Sequence, residues 1–498
     1  MNSSQYVSNS TLAPSEYQKE YTGGQQVKFD IPSFYGFVDM RQSYLRADVE
    51  LVSTVKCGLS RYLGAQALVH NVRVYDYTGS TILENVENYG HITRQTLHYS
   101  SNETMDNNRA LLEAVESYPS NVLDHNDALF FNQLNGTSST NLVATGSVNE
   151  NKVQIAMKLH TGVFGSDKVF PLIVFNGLRV EIDLAQGKEA IMNLATTKYK
   201  NSDNIAVSTD EVTTLKLKVA IEDCIFCVGQ EVEIDIDGDV AKLGPITAIT
   251  KTSATETTIS FTDGHEFNAE KKGEVVMSLD PTWLALQTYD FKLSNVEFVF
   301  KKVQPPAWYS QDYIKDAMGE KGVNLDIKTF DLIRRNIPDS SLVSELAIPS
   351  FNARAYSILT MFVSNSAKSG STDSFDTLKN KLKNYNYYLN GVRTPNRVVD
   401  VVQRVSSATN KVVEQIYLFE LMKALKSCGL VIKNMDTLDQ FILGRALGRY
   451  GGVYNLKDND LTLRTEYSQA SGSNVMALNY ICSLRRIRVS NKGVEIVP

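Results

Sequence analysis

The sequence predicts a mainly β protein in which two β-sandwich domains stand in tandem, with short helices between strands. Three observations lead there. Leu178, Val180, Ile182 and Leu184 fall on one side of a run whose other side is Arg179, Glu181 and Asp183, and that period of two marks a strand with one buried and one polar face. Similar alternating runs recur along the 498 residues, separated by clusters rich in asparagine, serine and glycine. Gln304-Pro305-Pro306 then divides the chain, because a double proline stops a strand and stiffens the link.

The elements follow in order. Residues 1–26 are rich in Ser, Gln, Tyr and Gly and lack periodicity, which predicts an extended arm that is disordered or ordered only against a neighbour. The first sandwich is expected over 27–304. Its strands begin at 27–31, 44–52 and 71–84, where Val72 and Val74 run into a bend at Thr78-Gly79. Leu111, Leu112 and Val115 at helical spacing predict one or two short helices within 85–118, and the polar stretch 119–150 reads as a long exposed loop. Alternation returns at 153–159 and leads into 170–184. There Pro171 suits an edge strand or a strand entrance, and Asn176-Gly177 signals a turn with positive φ. After a strand at 214–221, residues 228–279 form a run of hairpins turning at Asp237-Gly238 and Asp263-Gly264, which reads as a small β unit inserted into the first sandwich. A long strand at 289–300 completes that domain.

The second domain, 305–498, shows strands at 330–337, 342–348 and 355–363. Val412, Ile416, Phe419 and Leu425 set one face of a helix over 412–425, with Gly429 as its stop. Residues 437–450 read as a second helix ending at Gly451-Gly452, and two strands, 476–484 and 487–497, close the chain. No short-period repeat occurs, which excludes a solenoid or propeller.

Composition narrows the function. Apolar content of 43% allows a real core, and a net charge of −6 is unlike the basic excess of a protein that sheathes nucleic acid. No stretch reaches the roughly 18 to 20 apolar residues that span a bilayer, so no membrane insertion is expected. The polar start of the sequence has neither region of a signal peptide, which predicts synthesis in a reducing compartment without secretion. Cys57, Cys224, Cys227, Cys428 and Cys482 then read as buried thiols and not as a disulfide framework, and the sequons at Asn2, Asn9, Asn102 and Asn135 mean little, since glycosylation needs secretion.

The six histidines, His70, His91, His98, His125, His160 and His265, form neither a His-x-His pair nor His-Glu-x-x-His, so no familiar metal-ligand spacing exists. Cys224-Ile-Phe-Cys227 is a single pair on an apolar run and reads as structural. Asp235-Ile-Asp-Gly-Asp239 lacks the remaining positions of a calcium loop and is explained by a hairpin turn. No nucleophile elbow or phosphate-binding loop appears, and Gly444, Gly448, Gly451 and Gly452 do not form a nucleotide fingerprint. Arg485, Arg486 and Arg488 are the densest basic run. They are candidates for contact with phosphate, although the polar face of a strand with Arg486 and Arg488 paired to nearby acids is the preferred reading. No catalytic residue, cofactor or metal is expected.

Several segments in matching order carry a family resemblance. Val72-Arg-Val-Tyr-Asp-Tyr-Thr-Gly-Ser-Thr-Ile-Leu-Glu-Asn-Val-Glu-Asn-Tyr89 resembles a segment of the major capsid proteins of virophages and polinton-like viruses. Lys168 to Leu184, Leu293-Ser-Asn-Val-Glu-Phe-Val299, Ala353-Arg-Ala-Tyr-Ser-Ile-Leu359 and Tyr388-Leu-Asn-Gly-Val-Arg-Thr-Pro-Asn-Arg397 are similar to later segments of the same family. The resemblance implies a double jelly roll, two eight-stranded antiparallel sandwiches side by side. It also implies a homotrimeric, pseudo-hexagonal capsomer that tiles an icosahedral shell around a DNA genome. Partners would be copies of the chain, neighbouring capsomers, and penton and minor or cement proteins, with at most weak contact to genome DNA. The place of action would be the virion, after synthesis in the infected host cell. The inserted unit and the loop at 119–150 would project outward as a tower.

In that setting Arg179, Glu181 and Asp183 are expected to meet another sheet or subunit. The rival readings are a tandem β-sandwich carbohydrate-binding or adhesin-like module, which calls for a secretion signal, and a jelly-roll enzyme, which calls for inward histidines or a carboxylate pair.

Overall fold

The alternating runs pair into four principal antiparallel sheets, two per sandwich. These are seen in a computed structural model that describes residues 7–53, 57–60, 63–115, 152–166, 168–193, 199–200, 205–206, 214–217, 226, 229–236, 239–253, 256–262, 275–280, 289–338, 341–364, 381–401, 404–405, 411–412, 415–433, 441–448, 452–470 and 475–497. Eight strands make the first sandwich: β1 (Val7–Leu12), β2 (Gln26–Pro32), β3 (Phe37–Ser53), β4 (Val69–Asp76), β5 (Ile82–Val86), β6 (Lys152–Met157), β7 (Gly177–Leu184) and β8 (Tyr289–Val303). Eight make the second: β9 (Val323–Asn336), β10 (Val343–Ala347), β11 (Ala355–Ser364), β12 (Leu382–Leu389), β13 (Val392–Asp400), β14 (Ile442–Ala446), β15 (Leu461–Tyr467) and β16 (Val475–Ser490).

Strand order is β1-β8-β3-β6 and β2-β7-β4-β5 in the first sandwich, and β9-β16-β11-β14 and β10-β15-β12-β13 in the second. Adding eight to each label of the first yields the second. The chain therefore runs twice through one jelly-roll path, changing sheet at every step except the hairpin β4–β5 and its counterpart β12–β13. Helices interrupt both passes at the same place: α1 (Tyr89–Ser100) and α2 (Glu103–Glu113) follow β5, and α4 (Gln415–Ser427) follows β13, while α3 (Ala307–Ala317) links the sandwiches. Periodicity explains the packing. On β7, Leu178, Val180, Ile182 and Leu184 are buried while Arg179, Glu181 and Asp183 are half-buried, and Asn176 and Gly177 before it hold φ of 55° and 105°, as expected of a turn with positive φ.

Several expectations are corrected. From Val7 onward the predicted arm is part of the first sandwich: β1 pairs with β8 from Val7 opposite Val303 to Leu12 opposite Phe298, and Glu20–Thr22 pairs with the same strand. Ladder bonds between backbones hold this stretch, and those leave no periodic mark when the side chains are Ser, Asn and Thr. The inserted unit is larger than 228–279. Short strands at Tyr199–Lys200 and Thr214–Leu217 pair with its later strands Val275–Leu279 and Glu256–Phe261, and Ile205–Ala206 pairs with Thr214–Leu217, so that two four-stranded sheets include strands from before 228. The strand at Thr214–Leu217 was legible, but its pairing with Glu256–Phe261 was not.

The region 437–450 contains β14 where a helix was expected. Phe441, Ile442 and Leu443 are buried, and Gly444 lies beneath α4, where an added Cβ would come 2.9 Å from Ala424 Cβ. Only a strand without a side chain at that point fits under the helix. On α4 itself Phe419 faces solvent, and Tyr417, Leu421, Ala424 and Leu425 form the buried face. Leu111 and Leu112 on α2 are also exposed, although Val115 just beyond it is buried. The two closing strands are one 16-residue strand, β16, with Gly493–Val497 folding back on it. The loop at 119–150, Asp237-Gly238, Asp263-Gly264, Cys224 and Cys227 lie outside the described residues.

Candidate assembly surfaces

The polar row of β7 is bound within its own sheet. Arg179 Nε donates to Asp30 Oδ1 on β2 at 2.8 Å. Arg73 on β4 reaches both oxygens of Asp183 through Nη2, at 2.7 and 2.8 Å, and its Nε lies 3.6 Å from Glu181. Gln26 and Asn71 add donors to Asp183 at 2.9 and 3.1 Å. Within this chain, then, the row meets neighbouring strands and not a second sheet.

The arginines of β16 are paired as well. Arg486 holds Asp326 on β9 with two bonds, at 2.6 and 2.8 Å, and that guanidinium keeps the Asp326 carboxyl below the usual carboxylate range. Arg488 pairs with Glu495 on the returning strand. Arg485 donates to Asp331 at 2.7 Å and also to the Leu83 carbonyl of the first sandwich at 3.1 Å. It is therefore a link between sandwiches.

That link belongs to a joint the sequence did not announce. Glu84 on β5 is fully buried and accepts from Gly162 N at 2.6 Å, Val163 N at 2.9 Å and Thr161 Oγ1 at 2.8 Å. Burial lifts its carboxyl above the ordinary range while these donors pull the other way. The loop they anchor presses on β9, because a Cβ on Gly162 would come 2.1 Å from the Lys328 carbonyl oxygen. Asn88, in the left-handed region with φ 47°, opens α1 and faces the second sandwich. Its carbonyl accepts from Tyr480 OH at 3.1 Å, and its side-chain oxygen accepts from Arg334 at 3.3 Å. Arg334 also pairs with Glu87 at 3.0 Å, and Lys433 N donates to the Tyr99 carbonyl at 2.8 Å. Leu83, Glu84, Glu87 and Asn88 all lie in the stretch from Val72 to Tyr89 that carries the family resemblance.

A second feature escaped the sequence reading. α3, about 16 Å long, joins the end of β8 to the start of β9. At the ends it joins, β2 turns into β3 through Ile31-Pro32-Ser33-Phe34, and β10 turns into β11 through Ile348-Pro349-Ser350-Phe351. Phe34 is 73% exposed and Phe351 87%, with Trp308 of α3 at 66%. The repeated tetrapeptide was the signal that could have found them. Single exposed aromatics are ordinary; here the same one stands exposed at equivalent corners of the two sandwiches. Among the described residues no group of three or more His, Cys, Asp or Glu is placed to hold a metal ion, and no helix is long and apolar enough to cross a membrane.

Neither a protein-family model nor a curated protein matches the sequence. Solved structures do match the fold. The Faustovirus major capsid protein superposes with a TM-score of 0.51 at 11% identity, over 98% of this chain and 91% of that one. A chain of the Sputnik virophage cryo-EM structure matches with a TM-score of 0.48 at 8% identity, over 99% and 88%. The mavirus major capsid protein matches with a TM-score of 0.39 at 8% identity, over 98% and 90%. With two complete jelly rolls in tandem and a match that runs nearly end to end, the chain has the double jelly-roll fold of viral major capsid proteins.

Proposed function

We propose that the chain is a viral major capsid protein, not an enzyme, and that it assembles as a homotrimer whose six sandwiches make a pseudo-hexagonal capsomer of an icosahedral shell. The observation that carries this reading is the pair of complete jelly rolls joined through a buried joint, spanning nearly the full length of a capsid protein. A joint of this kind makes two sandwiches one rigid building block, and three such blocks close around an axis by repeating one heterologous contact. Partners are neighbouring capsomers and penton and minor or cement proteins, and the place of action is the virion. Because the β16 arginines are already paired, contact with genome DNA is at most weak. The unit at 199–279 is the natural tower, since it leaves the first sandwich between β7 and β8.

Negative-stain imaging and a solution mass of the purified chain test the reading. Trimers of hexagonal outline support it, and a monomer that binds glycans overturns it. Charge reversal at Arg179 tests whether the β7 row also serves a subunit contact: trimer yield is expected to fall, and an unchanged yield removes the row from the interface.

A further inference from the structure

The second sandwich holds a pair of thiols that the assembly reading does not use. β11 and β16 are neighbours with Ser357 directly opposite Cys482, so both side chains stand on one face of the sheet. α4 covers that face, Leu421 and Ala424 lying against Gly444. Immediately after α4, Cys428 places its Sγ 2.9 Å from Ser357 Oγ, and Ser357 is the residue that faces Cys482 across the ladder, so the two thiols share one small buried cluster. Both cysteines are free and buried, Cys482 completely and Cys428 to 8% exposure. The third neighbour is Lys328 on β9. Its ammonium lies 4.7 Å from the Tyr356 ring centre, and it would meet a Cβ on Gly429 at 2.8 Å.

We propose that Cys428 and Cys482 are a redox modification site, in which an oxidant of the peroxide or disulfide class joins them and staples the end of α4 to β16. With a peroxide, the Cys428 thiolate attacks one oxygen, the O–O bond breaks and hydroxide leaves, giving a sulfenic acid. The Cys482 sulfur then attacks that sulfur, its thiol proton and the hydroxyl leave as water, and the S–S bond forms. Two thiols and one peroxide thus become one disulfide and two waters. Cys428 goes first because it is the less deeply buried of the two. The Cys482 and Ser357 hydrogen bonds and the Lys328 charge also favour its thiolate, while burial and its partner push the Cys482 thiol up. The crosslink closes the chain from 428 to 482, a loop long enough for it to restrict the unfolded state strongly.

The test treats the full chain with hydrogen peroxide or oxidised glutathione, followed by denaturation, alkylation and peptide mapping. Expected are a linked peptide pair containing Cys428 and Cys482, lighter by about 2 Da than the two thiol peptides, and a melting temperature that rises on oxidation and returns on reduction. Cys428→Ser should lose both effects while folding normally, since its neighbour is already a hydroxyl. The inference is overturned if both cysteines of the treated protein remain fully alkylatable. It is equally overturned if the crosslink joins Cys57, Cys224 or Cys227 instead, or if Cys428 stops at sulfinic acid with no crosslink.

Discussion

The two sandwiches share a strand path and fill it with different chemistry. In the first, Phe298 on β8 sits 5.6 Å from Phe29 and 5.7 Å from Phe164, ring centre to ring centre, among buried aliphatic residues. In the second, Thr360 bonds both Tyr387 OH at 2.9 Å and Asn479 Oδ1 at 2.7 Å, and Asn479 Nδ2 donates to the Ile333 carbonyl. Ser344, Thr465 and Tyr467 form a second buried hydroxyl cluster. The jelly roll thus demands alternation, not a particular core. A polar interior serves as well as an apolar one provided each group finds its partner. What the polar core adds is register, because hydrogen-bonded pairs do not survive a slip that aliphatic side chains would tolerate.

The outer faces show the same contrast in charge. Arg179-Val180-Glu181 on β7 and Arg464-Thr465-Glu466 on β15 are equivalent, each arginine facing an acid on the next strand. Arg179 meets Asp30 at 2.8 Å, whereas Arg464 stands 3.6 Å from Glu345 and is more exposed.

Four measurements would break or sharpen this comparison. Phe298→Ala is expected to cost about 3–5 kcal/mol and to release hydrogen-exchange protection in the first sandwich ahead of the second; equal loss in both would mean that they unfold as one unit. Acid should also separate them, since all six histidines precede the second sandwich. Burial holds His91 to about 4 and His160 to about 3, against 6.5 for the free side chain. The unfolded chain binds protons that the fold refuses, so this stability is present above pH 6.5 and is lost as pH falls from there through 4 toward 3. Glu84 acts oppositely: its raised value gives a contribution present at low pH and lost as pH rises through that value. Hydrogen exchange across this range should loosen the first sandwich while the second stays protected, and parallel loosening would contradict the histidine argument.

Asn479→Leu is expected to cost about 1–3 kcal/mol in the second sandwich, because it removes the acceptor for the Thr360 hydroxyl, leaving it only Tyr387 OH, and the side-chain donor to the Ile333 carbonyl. Adding Thr360→Val should recover part of that loss in a double-mutant cycle, and strict additivity would show that the two groups do not act together. The smallest effects belong to the outer faces. Arg464→Ala should change stability by less than about 0.5 kcal/mol and Arg179→Ala by about 1 kcal/mol, a difference readable by denaturant titration.

Legibility followed what each signal reports. Strands such as β7 and β8 were plain because period-two alternation records a face in a core, and Asn176-Gly177 was plain because φ there is a local property. β1 was missed because Ser, Asn and Thr pair through the backbone without a buried face to betray them. β14 was taken for helix because an apolar run buried on both sides has no period to read, and only α4 above Gly444 explains its form. The arginines of β16 were legible as a basic row, with Arg486 and Arg488 rightly expected to pair, but not Arg485 as a link to Leu83.

Sequence alone therefore determined the mainly β class and most strands, both properties of neighbours along the chain. Tertiary structure decided what depends on residues tens to hundreds of positions apart. It made the supposed arm the first strand of a sandwich, joined Asn88 to Tyr480, brought Cys428 to Cys482, and set Phe34 and Phe351 at matching corners. The physical reason is that a strand's own pattern specifies which face it buries, while its partner is chosen by the packing of the whole chain.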